Sequence, residues 1–508
     1  MRRIGTPTLL GYAAAAVGIV GIVSALTPEI AARSDIVRGV LPNGVPDAAR
    51  TLSLAFGLGL LRLSRGLARR KHRAWQLAVA LVVASAITHL AKGLDFEEAA
   101  GSTLLLVALW RSRRDFVAPG DPESVWPLLQ AAAAAVALGA LWLVAPADRL
   151  RDALTIALGA LAVRALFLWL RPHADRSERD HHRAEELVRR YGSDSLAYFA
   201  LRRDNSTFFS ASGSSFLAYR VVGGTAIVAG DAIGDPAERR DLLAEFTRVA
   251  HTKAWRVAIA GAGEEALRDY AELGFKSIYL GDEAFVRPDR FSLDGRPIRK
   301  VRQSASRLAK AGYRVDVLRP AEIGADLRAE LRSVSEEWRG NWPERGFTMA
   351  MDALFAYPDT AVAVARDGSG RVGGFLQLVP SPASGAYSLA SMRRRRETPN
   401  GLMEFLIVQT IAWARGQGVS EVSLNFSVFA EYLRGEGLAR TLLLKVDRLF
   451  QLERLHSFNR KFFPEWRRRY LCFERWTDLP LCGLAYLHAE SLLTPPGPWV
   501  RTEDLAAR

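Results

Sequence analysis

Apolar and polar positions divide this chain into two parts. In the first third, apolar residues form six runs of membrane-spanning size, and no run of that length follows. A bilayer core of about 30 Å is crossed by about 20 apolar residues in a helix. The runs are Thr8–Leu26, Arg50–Leu67, Trp75–Ala91, Ala99–Trp110, Val125–Val144 and Ala153–Leu170. The fourth run is short and follows two acidic residues, so five spans remain an alternative to the six that we predict within residues 1–171.

Cationic residues concentrate in alternate loops of this first part. They precede the first run and follow the second, fourth and sixth runs, whereas the other loops carry mainly Asp and Glu. Lys and Arg mark loops that stay on the cytoplasmic side of a membrane. We therefore predict a multi-pass protein whose N-terminus and C-terminal part both lie in the cytoplasm.

The pattern of the remaining two thirds predicts an α+β domain. Residues 172–190 are polar and predict a solvated linker that runs into a short helix. Short apolar, β-branched runs then alternate with amphipathic segments, among them a predicted strand at Ser277–Leu280, a predicted helix at Asp235–His251 and a predicted helix within Leu318–Trp338. Two stretches of similar element order suggest tandem copies of one fold. We place them at residues 191–300 and 301–490, with a tail at 491–508.

Composition limits the partners and the kinds of site that the protein can have. The net charge of +14 and the isoelectric point of about 10 favour an anionic partner, either nucleic acid or an acidic membrane surface. Arg-rich loops of a membrane protein would account for much of the same charge. The two cysteines, Cys472 and Cys482, exclude a disulfide framework and a four-cysteine zinc site. Phosphate-binding, dinucleotide-binding, metalloprotease and serine-hydrolase motifs are absent from the sequence, and we predict no metal site.

Polar residues at predicted strand ends are the candidates for a site in the first stretch. Asp231 follows one strand, and Asp282 with Glu283 follows another. The basic segment 296–310 then predicts a helix on which Arg302 can hold phosphate through charge-assisted hydrogen bonds. A solvated basic helix is the alternative interpretation.

The second stretch carries denser clusters. Four arginines at 393–396 precede a turn into a predicted helix, where Asn400 and Glu404 lie near an N-terminus suited to anions. Asn425 and Ser427 follow at the end of a predicted strand. Residues 458–470 then mix aromatic and cationic side chains, a pattern that can stack bases and neutralise phosphates or lie at a membrane interface.

These residues resemble the aminoacyl-phosphatidylglycerol synthases, also called the phosphatidylglycerol lysyltransferase or multiple peptide resistance factor family. The resemblance covers roughly residues 190–475. The motifs that carry it are FFS at 208–210, GDAIGDP at 230–236, Tyr270 with GF at 274–275, GDEA at 281–284, FSLDG at 291–295, Arg302, MR at 392–393, PNG at 399–401, LNF at 424–426, and Lys461, Phe462, Pro464, Trp466, Tyr470 and Leu471. The apolar front end is similar to that of shorter actinobacterial members, and we expect no lysyl-tRNA synthetase domain in this sequence.

The resemblance implies tandem acetyltransferase-like (GNAT) folds at the inner face of a bacterial cell membrane. There, aminoacyl-tRNA would donate its aminoacyl group, lysyl above all, to phosphatidylglycerol or another anionic lipid, which lowers the negative charge of the membrane and protects against antimicrobial peptides. No cofactor is expected besides the aminoacyl-tRNA co-substrate, and homo-oligomerisation stays open. The expected catalytic residues are Arg393, Lys461, Glu404 and Glu283, and the expected substrate-binding residues are Asp231, Asp282, Arg302, Asn400, Asn425, Ser427, Trp466 and Tyr470.

Two positions depart from the family pattern. An acid commonly stands three residues before the arginine at position 393, but this sequence has Ala390, and Glu404 stands where Asp is usual. The first departure keeps other hypotheses open. They are another amino acid or acceptor, an acyl-CoA-dependent N-acyltransferase of the same fold, and a non-catalytic lipid- or tRNA-binding membrane protein.

Overall fold

The computed structural model describes residues 6–26, 45–68, 70, 72–93, 95–116, 177–344, 346–428 and 452–493. The chain divides into two compact units. The first consists of Met1–Pro172 with Val249–Trp255, and the second of His173–Arg248 with Arg256–Arg508. The predicted runs Val125–Val144 and Ala153–Leu170 lie outside the described residues, so their helical form stays a prediction.

The described part of the first unit is helical. Its helices are α1 (Thr6–Leu26), α2 (Val45–Ala68), α3 (His72–Gly93) and α4 (Phe96–Arg111). They coincide with the first four predicted runs, and they share a core that includes Leu10, Leu60, Val82 and Leu105. One helix in the described part of the chain, over Thr6–Ser24, is long and apolar enough to cross a membrane, and Ala74–His89 is a shorter apolar helix.

Glycines allow α1 and α2 to approach closely. A Cβ atom added to Gly18 would lie 2.6 Å from the carbonyl oxygen of Gly57, and a Cβ atom added to Gly57 would lie 2.6 Å from the carbonyl oxygen of Gly18. A side chain at either position would push the two backbones apart. This reciprocal fit explains Gly18 and Gly57 in the two apolar helices.

The second unit is built on one mixed sheet. Its strands run in the order β1-β2-β3-β5-β12-β6-β11-β10-β9-β8-β7, and β4 pairs with β2. The strands are β1 (Ser206–Phe209), β2 (Ser215–Val222), β3 (Thr225–Ala229), β4 (Ile233–Gly234), β5 (Arg256–Ala262), β6 (Lys276–Val286), β7 (Arg314–Leu318), β8 (Ala361–Arg366), β9 (Val372–Ser381), β10 (Ala386–Arg394), β11 (Val422–Val428) and β12 (Glu465–Phe473). The helices are α5 (Glu178–Tyr191), α6 (Arg239–Thr252), α7 (Leu267–Glu272), α8 (Arg299–Lys310), α9 (Ala325–Arg339), α10 (Leu402–Gly416), α11 (Leu452–Asn459) and α12 (Leu479–Ala489).

Alternating side chains of β8 separate the two faces of the sheet. Ala361, Ala363 and Ala365 pack into a core with α8 and α10. Val362 and Val364 pack into a second core with Leu331 and Val334 of α9. Since successive residues of a strand point to opposite faces, α8 and α10 cover one face, and α9 covers the other. We call these the α10 face and the α9 face.

The sheet has two halves of similar construction, as the element order predicts. In the first half β3 and β5 are parallel, and in the second half β10 and β11 are parallel, each pair joined through a long helix. The last strand, β12, pairs with both β5 and β6 of the first half. The sheet is therefore continuous across the predicted boundary at residue 300, and that division stays a prediction.

Two local expectations differ from the structure. The predicted linker is helical from Glu178, and His181, Ala184 and Val188 on one side of α5 are buried rather than solvated. The helix predicted over Asp235–His251 begins only at Arg239, because Pro236 lies in the preceding turn. The helix predicted within Leu318–Trp338 is confirmed as α9, which begins at Ala325.

Candidate functional site

Strands β10 and β11 form a fork near the middle of the sheet. They pair in parallel only at Tyr387 with Val422 and at Ser388 with Ser423. Beyond that point each strand has an irregular register with its other neighbour. Asn425 lies here in the left-handed region, with φ of 77°. A forked parallel pair exposes backbone and side-chain polar groups that a continuous ladder would occupy.

The Asn425 side chain bridges the fork. Its Nδ2 atom donates to the carbonyl oxygens of Leu389 and Met349, each at 3.2 Å. Its Oδ1 atom accepts from the backbone amide of Phe426 at 2.7 Å. The left-handed conformation, which asparagine tolerates better than most residues, allows this arrangement. Asn425, predicted to bind substrate, thus holds β10 and the segment around Met349 in place.

A buried arginine organises the centre of the sheet beside the fork. Arg469 on β12 donates from Nε to Glu283 at 2.7 Å, from Nη1 to Asp194 at 2.8 Å and from Nη2 to the hydroxyl of Ser195 at 2.7 Å. Burial lowers the pKa of Arg469, but the carboxylates of Asp194 and Glu283 raise it more, and the net direction is upward. The guanidinium therefore stays charged inside the protein.

Glu283 differs from the sequence-based expectation. The structure places it within β6, not after a strand end, and its exposed fraction is 0 %. It accepts from Ser423 at 2.5 Å as well as from Arg469. The strand continues through this acid because Arg469 on the neighbouring strand neutralises it. Glu283 is consequently a buried partner of an arginine rather than an accessible base.

Asp231, which is half-buried, lies near the same residues. It accepts from the hydroxyl of Tyr270 at 2.6 Å and from the backbone amide of Gly263 at 2.9 Å. Burial, together with the nearby carboxylate of Asp194, raises the pKa of Asp231 to about 6. We call Asp194, Ser195, Asp231, Glu283 and Arg469 the arginine cluster.

Arg393 lies on the α9 face and is also buried, with an exposed fraction of 6 %. Its guanidinium forms a bidentate pair with Glu344, at 2.9 and 2.8 Å, and donates to the hydroxyl of Ser335 on α9. The Trp338 ring lies under the guanidinium, with its centroid 5.5 Å away. All these contacts tie β10 to α9 and to the segment that follows it.

Lys461 lies in a different setting. Its ammonium is 2.7 Å from Oε1 of Glu404, and the exposed fractions of the two side chains are 44 % and 16 %. Glu404 is in the first turn of α10, and the Phe458 ring lies 4.9 Å from the ammonium. We call Arg460–Phe462 with the following Phe463 the lysine turn. Here a half-exposed ammonium meets a mostly buried carboxylate beside a helix N-terminus.

The turn into α10 is fixed by its neighbours on α8. Gly401 has φ of 92°, and a Cβ atom there would lie 2.7 Å from the Ser304 hydroxyl oxygen. Only glycine fits both the left-handed conformation and the contact. The Arg307 guanidinium donates to the carbonyl oxygen of Asn400, so the expected substrate-binding residue Asn400 offers its backbone to α8.

Arg393 and Lys461 are therefore not brought into one crevice. Met392 packs against the α10 core, so the next residue along β10 points to the α9 face. Lys461 contacts Glu404 on α10 instead. Arg393 and Lys461, both predicted to be catalytic, therefore lie on opposite faces of the sheet.

Two more predicted residues contact the protein itself. Arg302 on α8 donates to the carbonyl oxygens of Leu293 and Gly295, the latter at 3.0 Å, and so fixes the loop that follows β6. Trp466 stacks on His456, with ring centroids 4.4 Å apart. Both side chains therefore contact other groups of the protein near the lysine turn.

The other predicted binding residues lie along the central strands. Asp282 on β6 and Tyr470 on β12 are half-buried. The backbone of Ser427 belongs to β11, but its side chain lies outside the described residues. Ala390, where the family pattern has an acid, is buried at the irregular step of β10 between Leu389 and Ser391.

Sequence reasoning missed several residues of these networks. Asp194 and Ser195 lie in the turn after α5, and Glu344 follows α9, with no motif around any of them. Arg469 is the third arginine of a run of three, and the run itself does not tell which one is buried. The strand register supplies that information.

Comparisons with known proteins agree with this geometry. A family model described as phosphatidylglycerol lysyltransferase, C-terminal, matches residues 185–473. The chain is 30% identical over 558 aligned positions to the lysylphosphatidylglycerol biosynthesis bifunctional protein LysX of Mycobacterium ulcerans, which covers 96% of this chain and 50% of that protein. It is 36% identical to LysX of Rhodococcus jostii over 66% of this chain and 31% of that protein. The chain thus spans half or less of the length of these relatives.

Solved structures share the fold of the second unit. The structure of L-PGS from Bacillus licheniformis matches with a TM-score of 0.57 at 24% identity, over 64% of this chain and 99% of that chain. The C-terminal domain of an Agrobacterium fabrum protein described as a lysylphosphatidylglycerol synthetase matches with a TM-score of 0.54 at 26% identity, over 63% of this chain and 98% of that chain. The chain belongs to the phosphatidylglycerol lysyltransferase family, and the prediction made from its motifs is confirmed.

Proposed function

We propose that this protein transfers a lysyl group from lysyl-tRNA to phosphatidylglycerol at the cytoplasmic face of a bacterial membrane. The observation that carries the proposal is the family match over residues 185–473, which includes the ion pair of the half-exposed Lys461 with Glu404. The relatives named for lysylphosphatidylglycerol biosynthesis support the same substrates.

The reaction is a transesterification. A hydroxyl oxygen of the lipid head group attacks the aminoacyl carbonyl carbon, and a new ester bond forms as the ester bond to the terminal ribose breaks. The proton of the lipid hydroxyl ends on the ribose oxygen that leaves. The ester of aminoacyl-tRNA is already activated, so the step requires no nucleotide hydrolysis. The protein has to position both substrates, accept and return a proton, and stabilise an oxyanion.

Lys461 and Glu404 are placed to perform the last two tasks. The carboxylate of Glu404 can take the proton of the lipid hydroxyl, and the ammonium of Lys461, 2.7 Å from it, can stabilise the oxyanion. The positive end of the α10 dipole favours negative charge at the same place. We assign these two residues to the reacting centre.

The buried charges act as positioning residues in this proposal. Arg393 holds β10 against α9 through Glu344, and the arginine cluster holds β6, β12 and the turn at Asp194. Asn425 fixes the fork between β10 and β11. Substrate contacts of Asp282, Arg302, Trp466 and Tyr470 remain part of the proposal, since these side chains lie along the same strands and around the lysine turn.

Ala390 bears on the choice of amino acid. It is buried at the fork, where an acid would have to be paired or neutral. A site without that carboxylate has lost one partner for a substrate ammonium.

The proposal also places the protein in a membrane. The apolar helix over Thr6–Ser24 and the family's membrane character support an anchored protein. The alternating cationic loops of the sequence support a multi-pass arrangement with both the N-terminus and the second unit in the cytoplasm. The similar halves of the sheet support tandem acetyltransferase-like folds.

The test is direct. The full chain in phosphatidylglycerol vesicles, supplied with lysyl-tRNA, should convert the lipid to its lysyl ester, and mass spectrometry of the extracted lipids identifies both the head group and the amino acid. Ribonuclease treatment of the donor should abolish the product. Formation of the product from an acyl-CoA donor instead would contradict the proposal.

A further inference from the structure

A cavity of about 350 Å³ opens next to the lysine turn, between the end of β6, the loop that follows β6 and the start of β12. Four phenylalanine rings line it, those of Phe285, Phe291, Phe462 and Phe463, and so do the side chains of Arg287 and Arg290. Phe462 directly follows Lys461 in the chain. The cavity therefore adjoins the proposed reacting centre, yet none of the roles assigned above uses it.

Cations predominate around this cavity. The Arg287 side chain is 37% exposed and that of Arg290 is 70% exposed, and their contacts with the carboxylate of Asp289 are long at 3.7 and 3.9 Å. Exposed basic residues lie next to the lining residues in the chain, namely Arg296, Arg299, Lys300, Arg460 and Lys461. The lining itself includes two acids, Asp294 and Glu465, and Asp289 lies next to it in the chain, so cations outnumber acids once the neighbouring residues are counted. Such a surface attracts an anionic ligand.

Phe463 adds an apolar element at the same place. Its exposed fraction is 59%, whereas Phe462 beside it is 1% exposed. Its backbone is in the left-handed region, with φ of 52°, which turns the chain sharply between the lysine turn and β12. An exposed phenylalanine among cations matches the composition of segments that lie in the interface of an acidic bilayer.

We propose that this cavity is the entry site for the anionic phospholipid, with Phe463 inserted among the acyl chains and Arg287 and Arg290 holding the phosphodiester of the head group. The inference rests on the proposed function, and it names the part of the protein that receives the lipid. The cavity volume is at the lower end of the range for small-molecule sites, so it takes the phosphoglycerol head group and leaves the acyl chains in the bilayer.

The cavity fits a lipid better than the end of an RNA. Sequence-tolerant RNA binding uses exposed aromatic faces on which bases stack. Phe285 and Phe462 are buried, at 3% and 1% exposure, and Phe291 is half-buried, so Phe463 is the single exposed ring of the lining and successive bases find no stack of faces here. A head group with one phosphate and a short polyol needs the two arginines and a concave wall, which the cavity supplies.

The first test measures bilayer contact at position 463. Phe463→Cys in the full chain is labelled with an environment-sensitive fluorophore and reconstituted into nanodiscs of phosphatidylglycerol or phosphatidylcholine. The native Cys472 and Cys482 are buried, and burial raises the pKa of each thiol to about 12, so they resist labelling. Trp476→Cys is the matched control, because Trp476 is 60% exposed and does not line the cavity.

We expect the label at 463 to move to shorter emission wavelength in phosphatidylglycerol nanodiscs and to be quenched by lipids that carry doxyl groups in their chains. The label at 476 should show neither change. Equal quenching at both positions, or none at 463, would overturn the bilayer contact.

The second test uses kinetics. Arg287→Ala/Arg290→Ala should raise the KM for phosphatidylglycerol roughly tenfold, with the KM for lysyl-tRNA unchanged. The control Arg240→Ala/Arg332→Ala, which removes two exposed cations elsewhere in the second unit, should leave both values unchanged. A higher KM for the tRNA alone would assign the cavity to the RNA and overturn the proposal.

These tests distinguish an error in the proposed reaction from an error in the proposed lipid site. If the full chain formed no lysyl lipid but the label at 463 were quenched, the proposed reaction would be wrong and the lipid site would stand. If the lysyl lipid formed normally while position 463 and the arginine pair had no effect, the lipid site would be wrong and the reaction would stand.

Discussion

Arg393 and Lys461, two cations that the sequence predicts to be catalytic, lie in opposite environments. Arg393 is almost fully buried and grips Glu344 with both terminal nitrogens, on the α9 face. Lys461 is nearly half exposed and meets Glu404 with a single nitrogen, at the N-terminus of α10. The Arg393 guanidinium cannot leave Glu344 without becoming a buried unpaired charge, whereas the half-exposed Lys461 ammonium can exchange partners at little cost.

The difference assigns separate tasks to the two regions. The buried arginines keep the strands of the central sheet in register, and the lysine turn is free to meet substrates. A basic cluster in a sequence therefore does not define a binding surface until the strand register shows which of its members face outward.

The largest effect is expected at the arginine cluster. Arg469→Ala leaves the fully buried Glu283 and its neighbour Asp194 without their cation, which should destabilise the second unit by about 3–5 kcal/mol. Thermal unfolding of the detergent-solubilised full chain measures this loss. Arg467→Ala, which removes a half-exposed arginine two residues earlier, is the control and should cost much less. Equal losses would contradict the distinction between buried and exposed cations.

The Arg393–Glu344 pair should behave as a coupled unit. Arg393→Ala and Glu344→Ala should each destabilise the protein by about 2–4 kcal/mol, because each leaves a partly or fully buried charge alone. The double variant Arg393→Met/Glu344→Leu should be less destabilised than the sum of the two single changes. Additive losses in this cycle would show that Arg393 has a different partner in solution.

Asp231 should make stability depend on pH. Its pKa of about 6 in the folded protein lies above the ordinary value of 3.8, so between these values the folded state holds a proton that the unfolded state has released. Stability then falls as pH rises from about 4 to 6 and stays lower above that window, by about 3 kcal/mol. Unfolding of Asp231→Asn across this range should show a flatter curve than the wild type, and two parallel curves would argue against the raised pKa.

The smallest effect on stability is expected at the lysine turn. Lys461→Ala should change the free energy of unfolding by less than about 1 kcal/mol, because the pair with Glu404 is partly solvated. Its kcat should nevertheless fall by about 10- to 100-fold through loss of oxyanion stabilisation. Steady-state kinetics and thermal unfolding of the same preparation distinguish this result from a folding defect, which would lower both.

Much of the architecture was predictable from the sequence. Apolar runs located the described helices of the first unit, and short β-branched runs located β2, β3 and β5. The chain order of elements also indicated two similar halves. What the pattern could not show was the return of β12 into the first half, because pairing between residues more than 170 positions apart leaves no local signal.

The candidate site was only partly predictable, for the same reason. The residues Glu404 and Lys461 were identified by motif, and the structure joins them. Glu283 was expected after a strand end as a catalytic residue, but the structure places it inside β6, where Arg469 makes its burial tolerable. Arg393 was expected beside Lys461, but the alternation of β10 turns it to the other face.

The central claim is that the lysine turn, and not the buried arginine face, meets the substrates. The most direct test is mass spectrometry of lipids formed by the full chain in phosphatidylglycerol vesicles with lysyl-tRNA, comparing the wild type, Glu404→Gln and Lys461→Ala at equal folded concentration. We predict a lysyl ester of phosphatidylglycerol from the wild type and a strongly reduced yield from both variants. Undiminished product from Glu404→Gln and Lys461→Ala would contradict the account.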